Sequence, residues 1–163
     1  LLKHIQIMIN VEIVSDNKLW NKKLKQTSIF FNKLVKFFPK KYQFKDKKVS
    51  LTLLLSNNRN IKKLNKKFRK KNKPTDVLSF PFEKKFKIKK ILYLGDIVIS
   101  YEFINIPISI TNLEFKEKLV KTFIHGFLHL LNYNHIKLKD YKKMIKEELK
   151  IYNLVNKKID QSI

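Results

Sequence analysis

A chain of 163 residues with 44% hydrophobic content and 13 phenylalanines can close one core around one sheet and is too short for two ordinary domains. It has no cysteine, which excludes disulfides, thiolate metal sites and cysteine nucleophiles, so any transition metal must be held by imidazole, carboxylate or water. The formal charge of +24 has two readings: a polyanionic partner whose counterions lysine displaces, or an AT-rich genome that writes Lys, Asn, Ile and Phe everywhere.

HIQIMINVEIV, residues 4–14, is β-branched and partly alternating, which predicts a strand with His4 in a structural role. No apolar run approaches the roughly 20 residues that span a bilayer, and LLKHIQIMIN lacks signal-peptide anatomy, so a cytoplasmic protein without a membrane partner is expected. From Lys18 to Phe38 the residues Trp20, Leu24, Thr27, Phe31, Leu34, Val35 and Phe38 recur at helical spacing, and Pro39 marks the stop. KVSLTLLLS, residues 48–56, reads as a buried strand.

NNRNIKKLNKKFRKK then reads as an amphipathic helix with Ile61, Leu64 and Phe68 inward and Asn57 or Asn58 as cap. DVLSFPF, residues 76–82, and YLGDIVIS, residues 93–100, read as strands joined by a lysine-rich hairpin loop from Glu83 to Lys90. Thr111 to Leu131 is the most helical segment, with Leu113, Val120, Ile124, Phe127 and Leu131 on one stripe and Lys118, Lys121, Thr122, His125 and His129 on another. A last helix from about Lys139 to Asn156 would turn Tyr141, Met144, Ile145, Leu149, Tyr152 and Val155 inward. The aromatic residues fit these periods and read mostly as core.

Three of the four histidines fall within HGFLHLLNYNH, residues 125–135. His125 and His129, four apart, lie one turn apart on the same helical face and can present two imidazoles to one ion. His135 needs the helix to end and turn back, which Asn132, Tyr133 and Asn134 can provide because asparagine tolerates the left-handed conformation that closes helices. Three neutral imidazoles leave a fourth tetrahedral position for water or substrate, the mark of a catalytic zinc site. Gly126 stands where the protease pattern HExxH carries its glutamate, so the base of that mechanism is missing.

HGFLHLLNYNH resembles the signature of the YbeY family of bacterial endoribonucleases, approximately HGxLHLxGYDH, with His125, Gly126, Leu128, His129, Leu130, Tyr133 and His135 matching as they stand. LNKKFRKKNKPTDVLSFPF resembles the family's basic helix followed by PTDVLSFP, LGDIVIS resembles its LGDI strand, and Met144 and Glu147 fall in its closing helix. The resemblance runs from about Val49 nearly to the end. Asn132 replaces the usual glycine and Asn134 the usual aspartate; an amide at position 134 keeps a hydrogen bond to a ligating histidine but not the charge.

The resemblance implies one α+β domain over residues 1–163, a small mixed sheet packed by about five helices, one of them a zincin-like metal-binding helix. It implies one Zn2+ per chain on His125, His129 and His135, with Asn134 and Asp76 supporting the ligands. Arg69, one of two arginines, matches an arginine that the family links to activity, and its planar guanidinium suits phosphate; a solvated helix-end charge is the competing reading. Lys66, Lys67, Lys70, Lys71 and Lys73 around it would form an RNA track or be generic surface lysines. Asp76 and Asp96 would support a histidine or cap strand ends. The implied activity is single-strand-specific, metal-dependent endoribonuclease action in ribosomal RNA processing, including the small-subunit rRNA 3′ end, with small-subunit ribosomal proteins as further partners. The rivals are a non-catalytic, zinc-stabilised RNA- or ribosome-binding assembly factor and, more weakly, a zinc hydrolase of peptides or small molecules.

Overall fold

The computed structural model describes residues 9–44, 47–83 and 91–160, so His4 and most of the expected 83–90 loop lie outside the described residues. Strand β1 (Ile9–Ser15) buries Ile9 and Val11 and exposes the alternating Asn10 and Glu12. The continuous helix expected after it is broken. Helix α1 (Trp20–Lys23) ends at Leu24 in extended conformation, Gln26 is left-handed at φ 50°, and α2 (Thr27–Leu34) continues into a 3-10 turn at Val35–Phe37. All the apolar residues of the stripe are buried, but at two places. The Trp20 indole donates to the Ser56 carbonyl at 2.9 Å and packs on Tyr101 and Phe115, whereas Phe31 packs on Phe123. These tertiary contacts override the helical period. Asn32 on α2 pairs both backbone groups of Val11, at 2.9 and 3.0 Å, occupying part of the edge of β1.

Strand β2 (Lys48–Ser56) leads into α3 (Asn58–Arg69), whose first turn is capped by the Asn57 side chain accepting from the Asn60 N–H at 2.9 Å. Then come β3 (Val77–Pro81), β4 (Ile91–Ser100), the single turn α4 (Tyr101–Ile104), α5 (Asn112–Leu130) and α6 (Leu138–Ile159). The strand order is β1-β2-β4-β3, with β1–β2 and β2–β4 parallel and β3 antiparallel to β4, as the hairpin requires. This is the expected mixed α+β architecture, with six α-helices among the described residues because the first expected helix divides and the single turn α4 is added.

One face of the sheet carries the main core, built with Phe30 and Phe31 of α2, Phe115, Phe123 and Phe127 of α5, and Met144, Ile151 and Val155 of α6. A smaller cluster of Ile61, Leu78 and Val98 joins α3 to the opposite face. Four inward residues of the sequence reading turn out exposed: Phe68, Leu113 and, on α6, Tyr141 and Leu149. Helix α6 buries Met144 and Val155 as expected, but its buried face continues through Glu147, Ile151 and Ile159 rather than through Tyr141 and Leu149. The two faces overlap at Met144 and Val155, and tertiary packing selects the side that Ile151 and Ile159 share.

Candidate metal centre

Helix α5 positions the centre, and its own sequence explains why it stands where it does. Thr111 and Glu114 form a reciprocal capping box at its start. Near its other end Gly126 lies against the sheet: a Cβ there would sit 2.9 Å from Ile97 Cγ2 and 3.2 Å from both Ser79 Oγ and Val77 Cγ2. The glycine is a close-approach residue. It allows Ser79 Oγ, buried on β3, to donate to the Gly126 carbonyl at 2.9 Å, on the turn between the two helical histidines.

The helix ends in a Schellman arrangement, with Asn132 N–H on the His129 carbonyl at 3.0 Å and Tyr133 N–H on the Leu128 carbonyl at 3.1 Å. Asn132 has φ 66°, the left-handed geometry that asparagine accepts at modest cost. This reversal returns His135 to the other two histidines, so one ligand atom from each lies within 4.8 Å of the others. His125 Nδ1 meets Glu148 Oε1 at 2.5 Å and His129 Nδ1 donates to the Tyr133 carbonyl at 2.9 Å. With both Nδ1 atoms engaged outward, the two Nε2 atoms face each other at 3.0 Å, near the ~3.3 Å edge of a tetrahedron with zinc–nitrogen bonds of about 2.0–2.1 Å.

Neutral rings in these tautomers bring two acceptor lone pairs together, an arrangement that a cation relieves and that the donor set of three imidazoles fits. Burial first, then the neighbouring His125, lowers the pKa of His129, and the charge of Arg69 adds to the shift. The environment thus favours the neutral, metal-binding form of that ring. The group could hold a metal ion. Behind it, the Tyr133 hydroxyl contacts Tyr42, which donates to Glu147 at 2.6 Å, and Lys41 pairs with the same carboxylate at 2.5 Å. Burial works to raise Glu147, but Lys41 and Tyr42 outweigh it and hold the carboxyl below the usual range.

The histidines open on a cleft of about 990 Å³ between α3, β3 and the turn after α5. Arg69, at the last residue of α3, lines it and donates from Nη2 to the Ser79 carbonyl at 2.9 Å, leaving its other N–H groups for a ligand. Of the five candidate lysines, Lys71 and Lys73 line the cleft, whereas Lys66, Lys67 and Lys70 do not. Lys67 lies over the Phe68 ring and Lys70 closes the helix in left-handed geometry. The buried Asn65 donates to the Lys73 carbonyl at 2.8 Å and so holds the loop that carries the two cleft lysines.

Asn134 and Asp76 also line the cleft, yet their side chains serve the backbone: Asn134 Oδ1 accepts from Ile136 N–H at 3.4 Å, and Asp76 Oδ1 from Val77 N–H at 2.8 Å. Asp96 accepts from Tyr93 at 2.6 Å and faces a separate apolar groove on the far side of the sheet. The ring partners that sequence reasoning missed are Glu148 and the Tyr133 carbonyl. Glu148 carried a signal, a carboxylate on the last helix, but the misjudged phase of that helix concealed which way it points. A backbone carbonyl carries none.

Residues 12–156 match the family model described as Endoribonuclease YbeY. A protein named Endoribonuclease YbeY from Pelagibacter ubique is 67% identical over 152 residues, covering 93% of this chain and 99% of that protein. A protein of the same name from Ehrlichia chaffeensis is 35% identical over 123 residues, covering 76% and 71%. Among solved structures, the solution structure of TM1509 from Thermotoga maritima aligns with a TM-score of 0.48 and 25% identity over 88% of this chain and 89% of that one. Among the described residues no helix is long and apolar enough to cross a membrane.

Proposed function

From the premise that the chain belongs to the YbeY endoribonuclease family, we propose that residues 1–163 form one metal-dependent endoribonuclease domain that cuts single-stranded RNA during ribosomal RNA maturation in the cytoplasm. The small-subunit rRNA 3′ end is within this reading, as are small-subunit ribosomal proteins as partners. The observation that carries it is the convergence of three imidazoles and one guanidinium on a single basic cleft.

His125, His129 and His135 would hold one Zn2+, with Glu148 and the Tyr133 carbonyl orienting two of the rings. When bound, zinc supplies Lewis acidity to phosphate oxygen and makes water a nucleophile near neutral pH. Arg69 binds the scissile phosphate through the N–H groups not used by Ser79 and offsets the charge that grows on the oxygens opposite the metal site. Lys71 and Lys73 draw the RNA backbone into the cleft. With glycine at position 126, no carboxylate stands next to His125 in the chain to act as a base, which fits phosphodiester rather than peptide chemistry.

The test is Arg69→Ala. The variant is expected to fold and keep its metal while cleavage of single-stranded RNA falls roughly 100-fold or more, the loss typical of a removed charge-stabilising donor. Normal cleavage by this variant would overturn the role given to Arg69. Product analysis separates the nucleophiles: a 2′,3′-cyclic phosphate would exclude water in the first step.

A further inference from the structure

The cations of the cleft account for phosphate, but a single RNA strand also brings unpaired bases, and the cleft holds an aromatic wall for them. Phe103 lines it together with Arg69, Lys71 and Lys73. The ring is half-buried and, among the described residues, makes no contact with another aromatic ring, unlike the phenylalanines of the core.

Its mounting is rigid. In the single turn of α4, Tyr101 and Ile104 are buried, with Tyr101 packed against Trp20 and Phe115. The neighbouring Glu102 accepts from Asn58 N–H at 2.9 Å and from Ser100 Oγ at 3.2 Å, tying the turn to the start of α3. A ring fixed in this way loses little freedom when a flat ligand covers it. Ile136, highly exposed at the cleft on the turn after α5, adds apolar surface.

We propose that Phe103 is a nucleobase subsite, stacking on one unpaired base of the strand whose phosphate Arg69 holds. This rests on the endoribonuclease reading and deepens it. Every base has a stackable face, so the subsite needs no particular sequence; a base within a duplex is already stacked and paired, so the subsite selects single strands.

The experiment uses the metal-loaded protein and single-stranded 2′-O-methyl RNA oligonucleotides, with an abasic nucleotide moved along the strand. Phe103→Ala should weaken binding roughly tenfold or more, the range that base stacking on an aromatic ring supplies, and Phe103→Trp should retain it. Trp20, the only native indole, is fully buried, so RNA should quench the added indole selectively. At one position the abasic nucleotide should weaken the parent protein and leave Phe103→Ala unaffected. Equal affinity of parent and Phe103→Ala, or abasic losses that are the same in both, would overturn the subsite. Cleavage of unmodified RNA, measured alongside, bears on the other reading: a parent that binds but never cuts overturns the endoribonuclease and leaves the subsite to be judged by the binding results.

Discussion

At the residue scale, the ring nitrogens turned away from the centre say most about how it works. Glu148 on α6 meets His125, and a carboxylate in that position fixes the tautomer and makes the opposite nitrogen a better donor. Glu148→Gln keeps the shape and removes the charge. Metal affinity, read by chelator competition, is expected to fall roughly 10- to 100-fold with the melting temperature of the metal-free protein little changed. Unaltered affinity would reduce Glu148 to a surface ion pair. Asn134, where the family pattern has aspartate, is expected from the sequence to hold a hydrogen bond to a ligating histidine without the charge. In the fold its oxygen accepts from Ile136 N–H, a task for which amide and carboxylate oxygens are equally equipped. The charge near the centre comes from Glu148, elsewhere in the chain.

At the scale of elements, β3 joins the two halves of the site. The Ser79 carbonyl receives Arg69 and the Ser79 hydroxyl reaches the Gly126 carbonyl, so one residue spans the distance between the cleft arginine and the histidine helix. The span requires α5 to lie close to the sheet, which Gly126 permits. Gly126→Ala would press a methyl group against Ile97, whose branched side chain has little freedom to yield. Overpacking costs typically about 1–3 kcal/mol, and the better helix propensity of alanine returns about 1 kcal/mol at most. Urea unfolding is therefore expected to show a net loss of stability, and cleavage should drop with it as the arginine and the histidines move apart. A variant as stable as the parent would show that the sheet gives way more easily than this packing implies.

At the scale of the whole molecule, the charge of +24 is too widely spread to name a partner by itself, but the fold sorts it. Arg69, Lys71 and Lys73 face the cleft, whereas Lys66, Lys67 and Lys70 do not line it. Single-stranded RNA loses about 0.7 in log affinity per unit log salt for each phosphate neutralised, so three cleft cations predict a slope of about −2. Recruitment of the other three lysines would bring it to about −4. A flat dependence would leave the charge to codon usage, and titration of RNA binding against salt decides among the three.

The sequence by itself determined which residues meet at the centre. Two histidines at helical spacing, an asparagine reversal and a third histidine are local features, governed by the geometry of one helix and its end, and the structure joins them as expected. It also determined the strands: burial alternates along β2 and the start of β1, and β3 and β4 are short apolar runs bounded by proline and charged residues. Only the tertiary structure decided the break between α1 and α2, where the Trp20 hydrogen bond to Ser56 outweighs local propensity, and the side of Met144 and Val155 to which the inward face of α6 extends. The same dependence on distant contacts hid Glu148, which reaches His125 from behind, and Ser79 and Phe103, which line the cleft: each acquires its place from an element far away in the chain, and no spacing along the chain encodes such a contact.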